Sequence, residues 1–327
     1  MVEKQSRQQP PPASYADFDS DRPPGWVRTV VQFFAIPLFI VCVAVAIYLG
    51  ISLMLGSGPK TAGDFVVLLQ SDTINRRWQA AYELAARLGG ADVPPEFSDP
   101  KLVNALCAAL ENTRSDTEDP RLAELILRIL ARLQDPRALP AVRGALDHEH
   151  PWVRSHAILA LAALNDYSAV PRLQELAESD GDPKIRQVCL DALAALDQLE
   201  GVRFRLSGRT RELALKGLGD AHEDVRFTSA LILAHAGEKA ALPVLRKMLD
   251  RAHLETYEFN DERGGLDPYT VRSGTLLKAI RGAVRLDCGD DADVMRALRR
   301  LTDDAVEGDL VVREAARQAL ATLQNTK

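Results

Sequence analysis

Apolar residues beyond position 64 recur at the spacing of an α-helix. In the clearest segment, Val153 is followed by small or apolar residues at Ala157, Ala160 and Leu161, which lie on one face of a helix. Ala and Leu recur in short blocks and only 6% of residues are aromatic, a composition that favours tight helix packing over sheet. The pattern predicts an all-α fold.

The helical segments form a repeat. An arginine, usually after Val or Ile, opens most copies, and 31 or 32 residues separate Ala123, Arg154 and Arg186. The positions that anchor the seven copies are Arg77, Ala123, Arg154, Arg186, Arg226, Arg272 and Arg313. A second amphipathic segment, such as 138–146, precedes most anchors, so each unit is predicted to be a hairpin of helix A and helix B. One hairpin cannot bury its apolar stripe alone, so the units should stack into an α-α superhelix, a solenoid.

A long uncharged stretch precedes the repeats. No charged side chain occurs in 29–59, and a bilayer needs about 20 apolar residues. A polar tail of more than twenty residues and a poor cleavage site favour an anchor over a signal peptide. The sequence predicts a disordered Pro-, Ser- and Asp-rich tail at 1–25, one transmembrane helix at 26–58 and a repeat domain at 60–325.

Positive charge is concentrated before the predicted span. The tail carries Lys4, Arg7, Arg22 and Arg28, whereas the other flank has only Lys60 before the repeats. The positive-inside rule then places the tail in the cytoplasm and the repeat domain on the other side of a cell membrane. The reverse orientation would leave the fold prediction unchanged.

The run Leu-Gln-Asp-Pro-Arg-Ala-Leu-Pro-Ala-Val at 133–142, followed by His-Pro-Trp-Val-Arg at 150–154, resembles the short HEAT-like repeats of phycobilin lyases. The resemblance covers 64–323, and the whole layout is similar to bacterial single-pass, membrane-anchored HEAT-repeat proteins. It implies that the repeated arginines bridge neighbouring units through acidic partners. Arg154, Arg186, Arg226 and Arg313 are therefore assigned to structure.

The same resemblance raises two enzyme alternatives, a bilin lyase and an iron-dependent hydroxylase. The hydroxylases of this repeat type carry several His-Glu pairs within helices, but His148-Glu149 and His222-Glu223 lie in predicted turns. His156 and His235, on predicted B helices, are each followed by alanine. His148 and His150 could hold a metal or simply lie in a solvated turn. We predict no catalysis, no cofactor and no metal, with an enzyme that uses the same groove as the alternative.

The predicted binding surface is the concave wall that B helices form in a solenoid. Positions one, two, five and nine after each anchor lie opposite the packed stripe. They include Trp78, Tyr82, His156, Leu159, Phe227, Leu231 and His235. A merely solvated helix face would be charged, so this partly apolar wall favours a protein ligand. On an open wall, truncating these side chains should cost less than about 1 kcal/mol of stability. Alternatively, A helices or the inserted loops cover these side chains, which would then be ordinary core.

An insertion at 252–270 divides the sixth repeat. It contains Tyr257 and Phe259 among acidic residues and is long for a hairpin turn, so it is either a functional contact or disordered. The net charge of -6 argues against a nucleic-acid partner. We predict a membrane-tethered scaffold or adaptor that binds a protein partner, a subunit of an envelope or membrane complex, and leave its oligomeric state open.

Overall fold

The computed structural model describes residues 25–55, 61–113, 120–199, 205–257 and 267–325, and the chain divides into two units, Met1–Lys60 and Thr61–Lys327. In the first unit, helix α1 spans Gly25–Leu55 and contains Pro37. Its described side chains are exposed, with Phe33 at 73% and Tyr48 at 69%. A search of the described residues finds no helix that is both long enough and apolar enough to cross a membrane. A helix thus covers most of the span predicted at 26–58, but its role as a membrane span is not confirmed, and residues 1–24 of the tail predicted at 1–25 lie outside the described residues.

Helical hairpins build the second unit in the described ranges. The A helices are α2 Ala62–Leu69, α4 Pro100–Asn112, α6 Leu139–Gly144, α8 Val170–Ser179, α10 Gly208–Gly217, α12 Leu242–Met248 and α15 Ala292–Arg300. The B helices are α3 Ile74–Arg87, α5 Arg121–Leu133, α7 Pro151–Ala163, α9 Pro183–Leu199, α11 Glu223–His235, α14 Pro268–Arg285 and α16 Leu310–Asn325. Consecutive B helices contact each other along the whole row. The predicted all-α solenoid of seven hairpins is therefore confirmed.

Aspartate and proline start many of these helices. Asp135 accepts a hydrogen bond from the Arg137 N–H at 2.9 Å, and Asp182 accepts one from the Lys184 N–H at 2.8 Å. Proline follows each aspartate, where its missing N–H is not needed. Both Asp-Pro pairs therefore form the starts of helical segments.

A left-handed residue follows several B helices. Gln134, Asn165 and Asp287 have φ of 54°, 56° and 50°, and Gly237 has φ of 78°. A single residue in this conformation ends a helix and redirects the chain. Here it turns α5, α7, α14 and α11 toward the next helix without a long loop.

The core is the apolar stripe identified from the sequence. Leu161, Leu193 and Leu233 are at most 1% exposed and lie at equivalent positions of α7, α9 and α11. These side chains belong to a hydrophobic core that extends from Ala62 to Leu323. Because the core lies between the two rows of helices, the B helices keep a second face free of the A helices, which we call the B face.

The insertion is partly helical. A short helix, α13, spans Arg251–Thr256, and α14 already begins at Pro268. The prediction that 252–270 is a loop is therefore wrong at both ends, since Asp250 and Asp267 each cap a helix there. Residues 258–266 lie outside the described part, and Phe259 with them.

Candidate protein-binding face

Arginine at the start of a B helix ties one unit to the next. Arg186 donates from Nη1 to the carbonyl oxygens of Asp180 at 2.8 Å and Gly181 at 3.4 Å, in the turn before α9. Its Nε and Nη2 donate to the Asp220 carboxylate of the following unit at 2.9 and 2.8 Å. Both side chains are largely buried. The predicted structural role of Arg186 is thereby confirmed.

The arrangement recurs in the units on either side. Arg154 donates to the carbonyl oxygens of the two residues that lie six and five positions before it, both at 3.1 Å, and reaches Asp180 of the next unit at 3.5 Å. Arg226 makes the same two carbonyl bonds at 2.7 and 2.8 Å. Its acidic partner, however, is Glu223 of its own helix, at 2.9 Å. Glu223 in turn lies 3.2 Å from Nε2 of His253 in α13, so the fifth and sixth units are linked through a histidine.

The sixth and seventh units are linked by the arginine at the start of α13, next to the insertion. Nη1 of Arg251 lies 3.5 Å from a carboxylate oxygen of Glu307, which is fully buried. The Arg251 guanidinium also lies 5.0 Å from the ring centre of Tyr269. Arg272, the anchor expected from the repeat, instead donates to the Glu255 carbonyl oxygen at 3.3 Å. The insertion has thus replaced the anchor arginine of its own unit.

These contacts lower the pKa of two of the carboxylates, Asp220 and Glu223. Burial acts to raise the pKa of Asp220, but the hydrogen bonds from Arg186 and the His222 N–H outweigh it and hold the pKa below its ordinary value. Glu223 behaves likewise, because Arg226 and His253 outweigh its burial. Asp220 and Glu223 are therefore charged at neutral pH.

Two of the predicted wall residues are not open. His156 is 8% exposed: Nδ1 contacts the Trp152 carbonyl oxygen at 2.8 Å, and Nε2 lies 3.3 Å from a carboxylate oxygen of Glu124 on α5. The Trp152 indole N–H donates to the other Glu124 oxygen at 2.8 Å. Phe227 is 5% exposed, with its ring centre 5.8 Å from that of Tyr257. The expectation that both side chains line an open wall is wrong, because neighbouring units and the insertion cover them.

Tyr257 attaches the insertion to the B face. Its hydroxyl hydrogen-bonds Asp224 at the start of α11. Burial, followed by the charge of Asp224, raises the pKa of Tyr257, and burial also raises the pKa of Asp224. Tyr257 therefore packs within the protein in this structure.

The other predicted residues lie at the surface. Trp78 is half-buried and stacks on Tyr82 with ring centres 5.4 Å apart, and Tyr82 is 59% exposed. Leu159 is 47% exposed, Leu231 is half-buried, and His235 is exposed.

Two of these side chains, Leu159 and His235, line grooves. The N-terminal groove, between α3, α5 and α7, has a volume of about 860 Å³ and includes Leu159 and Glu124. The C-terminal groove, between α11, α14 and α16, has a volume of about 850 Å³ and includes His235. Both volumes lie in the range of ligand-binding clefts.

Sequence reasoning missed two parts of this face. Glu124, which holds Trp152 and His156, lies one position after the irregular anchor Ala123, and its role depends on a contact between units. Leu310 and Val311 are 70% and 64% exposed in the C-terminal groove. They precede the anchor Arg313 at positions where α7 and α9 have Pro-Trp and Pro-Lys, a departure visible in the sequence.

The two histidines considered for a metal belong to the turn before α7. His148 Nδ1 accepts from the His150 N–H at 3.0 Å, and His150 Nδ1 accepts from the Trp152 N–H at 3.2 Å. Each imidazole thus uses one nitrogen to order the turn. A search of the described residues finds no group of three side chains suited to hold a metal.

Stacked hairpins with arginine links between units define an α-solenoid protein. A sequence profile described as HEAT repeats matches residues 103–194. Taken with the repeats seen in the structure, this match shows that the chain is a HEAT-like repeat protein.

Among known proteins, the beta subunit of coatomer from Drosophila melanogaster is 32% identical over 103 residues, which is 30% of this chain and 10% of that protein. The Rattus norvegicus subunit is 28% identical over 120 residues, 34% of this chain and 12% of that protein. The chain therefore spans only about a tenth of the length of the curated relatives it matches.

Solved structures with a similar arrangement have low sequence identity. YibA of Escherichia coli is 16% identical, with a TM-score of 0.49 over 83% of this chain and 84% of that one. The complex of CpcE and CpcF of phycocyanin lyase from Nostoc sp. is 21% identical, with a TM-score of 0.47 over 82% and 96%. Human deoxyhypusine hydroxylase is 17% identical, with a TM-score of 0.35 over 81% and 96%. No function follows from these likenesses.

Proposed function

We propose that the protein is a membrane-tethered scaffold that binds another protein through the B face of its solenoid and has no catalytic activity of its own. The exposed apolar side chains on that face carry the proposal, notably Tyr82 at 59% and Leu159 at 47%. Large apolar side chains that are exposed on one face are typical of protein-binding surfaces.

The absence of catalysis is supported by how the polar groups of the face are used. Glu124 is held by Trp152 and His156, and Asp224 by Tyr257. A general acid or base needs access to substrate, whereas these groups hold parts of the protein together.

The tether is the uncharged stretch around α1. A helix of 31 residues is about 46 Å long, and the apolar core of a bilayer is about 30 Å thick. Phe33, Phe39 and Tyr48 on this helix are 73%, 70% and 69% exposed. We further propose that the positively charged tail is cytoplasmic and that the repeat domain lies on the other side of a cell membrane.

We propose that the partner is a subunit of a membrane or envelope complex. The matching relatives are named as subunits of coatomer, which favours a role within an assembly of several proteins. The net charge of -6 disfavours nucleic acid.

A matched pair of tyrosines tests the binding face. Tyr82 lies on the B face and Tyr167 precedes the A helix α8, and both are exposed, at 59% and 42%. Partners are crosslinked in native membranes to the full-length protein carrying Tyr82→Ala or Tyr167→Ala. Recovery should fall severalfold for Tyr82→Ala and stay unchanged for Tyr167→Ala, because aromatic anchors often contribute about 2 kcal/mol or more to binding. Equal recovery would contradict the proposal.

The tether is tested by extraction. Full-length protein should remain in the membrane pellet after high-salt and carbonate washes and should be released by detergent. Its appearance in the carbonate wash would reject an integral anchor. The binding face is tested separately, by the Tyr82→Ala and Tyr167→Ala variants.

A further inference from the structure

The C-terminal groove differs chemically from the rest of the B face. Leu277 and Val284 of α14 and Leu310 and Val311 of α16 provide its apolar surface. The last two are 70% and 64% exposed, although they occupy the first turn of a helix. That turn is already capped, because Asp309 accepts from the Val311 N–H at 2.8 Å. Neither side chain is needed to start α16, and both are open to a ligand.

Two arginines lie beside this apolar surface. Arg281 and Arg285 are exposed, lie one helical turn apart on α14 and line the same groove. In the described part of the chain neither has a carboxylate partner. Like charges at this spacing are mildly destabilising in an isolated helix, so folding alone does not favour the pair.

The acidic group across the groove does not neutralise them. Glu314 of α16 is paired with Arg317 of its own helix at 3.5 Å. His235, at the edge of the groove, has a lowered pKa because of burial and then because of the positive charge of Arg285. The groove is therefore an apolar surface with an excess of positive charge.

The arginines of the N-terminal groove are held differently. Arg132 donates to the carbonyl oxygens of Leu88 at 3.3 Å and Gly90 at 2.6 Å. Arg128, 67% exposed, lies 3.8 Å from Glu124. Both arginines of that groove thus contact other groups of the protein, so a preference for acidic ligands should be stronger in the C-terminal groove.

We infer that the C-terminal groove binds an acidic amphipathic helix of a partner protein, an inference that rests on the proposed scaffold function and specifies its ligand. The apolar stripe of such a helix contacts Leu277, Val284, Leu310 and Val311, and carboxylates on its flank pair with Arg281 and Arg285. A groove between two helices accepts a third helix through residues spaced three or four apart. Charge complementarity then sets the preference among amphipathic helices.

Synthetic peptides test the inference on the full-length protein. Two helical peptides share one leucine stripe, and their flanking positions are all glutamate in one and all lysine in the other. Fluorescence anisotropy should show the glutamate peptide binding at least about tenfold more tightly, with affinity falling as salt screens the arginines. Equal binding of the two peptides would overturn the inference.

Variants locate the site. Arg281→Glu with Arg285→Glu should weaken the glutamate peptide at least about tenfold and improve the lysine peptide. Arg281→Gln with Arg285→Gln should have a smaller effect in the same direction. The control Arg128→Glu, in the N-terminal groove, should leave both affinities unchanged. If Arg128→Glu has the larger effect, the assignment to the C-terminal groove is wrong.

Two further measurements separate other ligands from the inferred one. Binding to anionic lipid vesicles that is lost in the Arg281→Glu, Arg285→Glu protein, without binding of either peptide, would replace the helix by a lipid surface. Self-association lost in the same variant would replace it by a second copy of the chain.

Loss of partner crosslinking with Tyr82→Ala but not with the Arg281→Glu, Arg285→Glu protein would refute the inference and leave the scaffold function standing. Full crosslinking with both would reject the scaffold function itself.

Discussion

Removing the link between Arg186 and Asp220 should weaken the solenoid far more than removing an exposed pair of the same type. The buried pair has two charged hydrogen bonds at 2.9 and 2.8 Å, and the two side chains are 13% and 15% exposed. Arg172 and Asp147 also join neighbouring units, at 2.9 Å, but are 48% and 70% exposed. The two pairs are thus the same kind of ion pair, one buried and one exposed.

The contacts of Arg186 determine how much stability its removal should cost. A hydrogen bond to a charged group contributes roughly 1.5 to 3 kcal/mol, and removing one partner of a buried pair costs about 3 to 5 kcal/mol. Arg186→Ala also leaves the carbonyl oxygens of Asp180 and Gly181 without their donor. We expect a loss of about 4 kcal/mol for Arg186→Ala and a coupling energy of about 3 kcal/mol with Asp220→Ala. The coupling energy of the exposed pair should be below about 1 kcal/mol.

Urea unfolding followed by circular dichroism gives the free energies for both double-mutant cycles. Hydrogen exchange adds a local measurement, since a stack of repeats can open at one interface. Protection should fall most in α9 and α11 when Arg186 is replaced. Coupling energies that agree within error for the two pairs would refute the argument that burial decides the strength of these links.

Three other outcomes follow from burial and pKa. Leu161→Ala should cost roughly 2 to 5 kcal/mol in urea unfolding and Leu159→Ala less than about 1 kcal/mol, because only the first is fully buried on α7; similar losses would contradict this. Phe227→Ala should cost about 3 to 5 kcal/mol, not the small loss expected of an open wall, and a value below 1 kcal/mol would restore that expectation. The pKa of Asp166 is lowered because two hydrogen bonds from Arg143 outweigh its burial. Its contribution to stability should therefore be present above about pH 4 and lost as pH falls through the lowered pKa. Thermal unfolding of Asp166→Asn should be less sensitive to acid than that of the unchanged protein, and an identical pH profile would refute this reasoning.

Local sequence patterns predicted the repeats because the same apolar residues both mark the helical spacing and form the packed face of each helix. The spacing from Val153 to Leu161 lies on one helical face, and that face is buried in α7. The Asp-Pro caps are local features of the same kind, whereas the arginine links were implied by the resemblance to HEAT-like repeats.

The candidate site was harder to predict because exposure on the B face depends on neighbouring units. Helical spacing places Phe227 and Leu159 on the same face, yet Tyr257 covers the first and nothing in the described chain covers the second to the same extent. Likewise, no spacing rule indicates that Glu124 from α5 holds His156. Contacts between units and the path of the insertion decide these cases.

The links between units give the solenoid an uneven mechanical strength. At Arg154, Arg186 and Arg251 a permanently charged, largely buried guanidinium joins two units. Between the fifth and sixth units the imidazole of His253 faces Glu223 instead, beside an exposed pair of Arg211 and Glu238, and between the second and third units His156 faces Glu124. An imidazole carries a charge only while it holds a second proton. Pulled from its two ends, the array would yield more readily at the two interfaces with an imidazole than at those that a buried guanidinium joins.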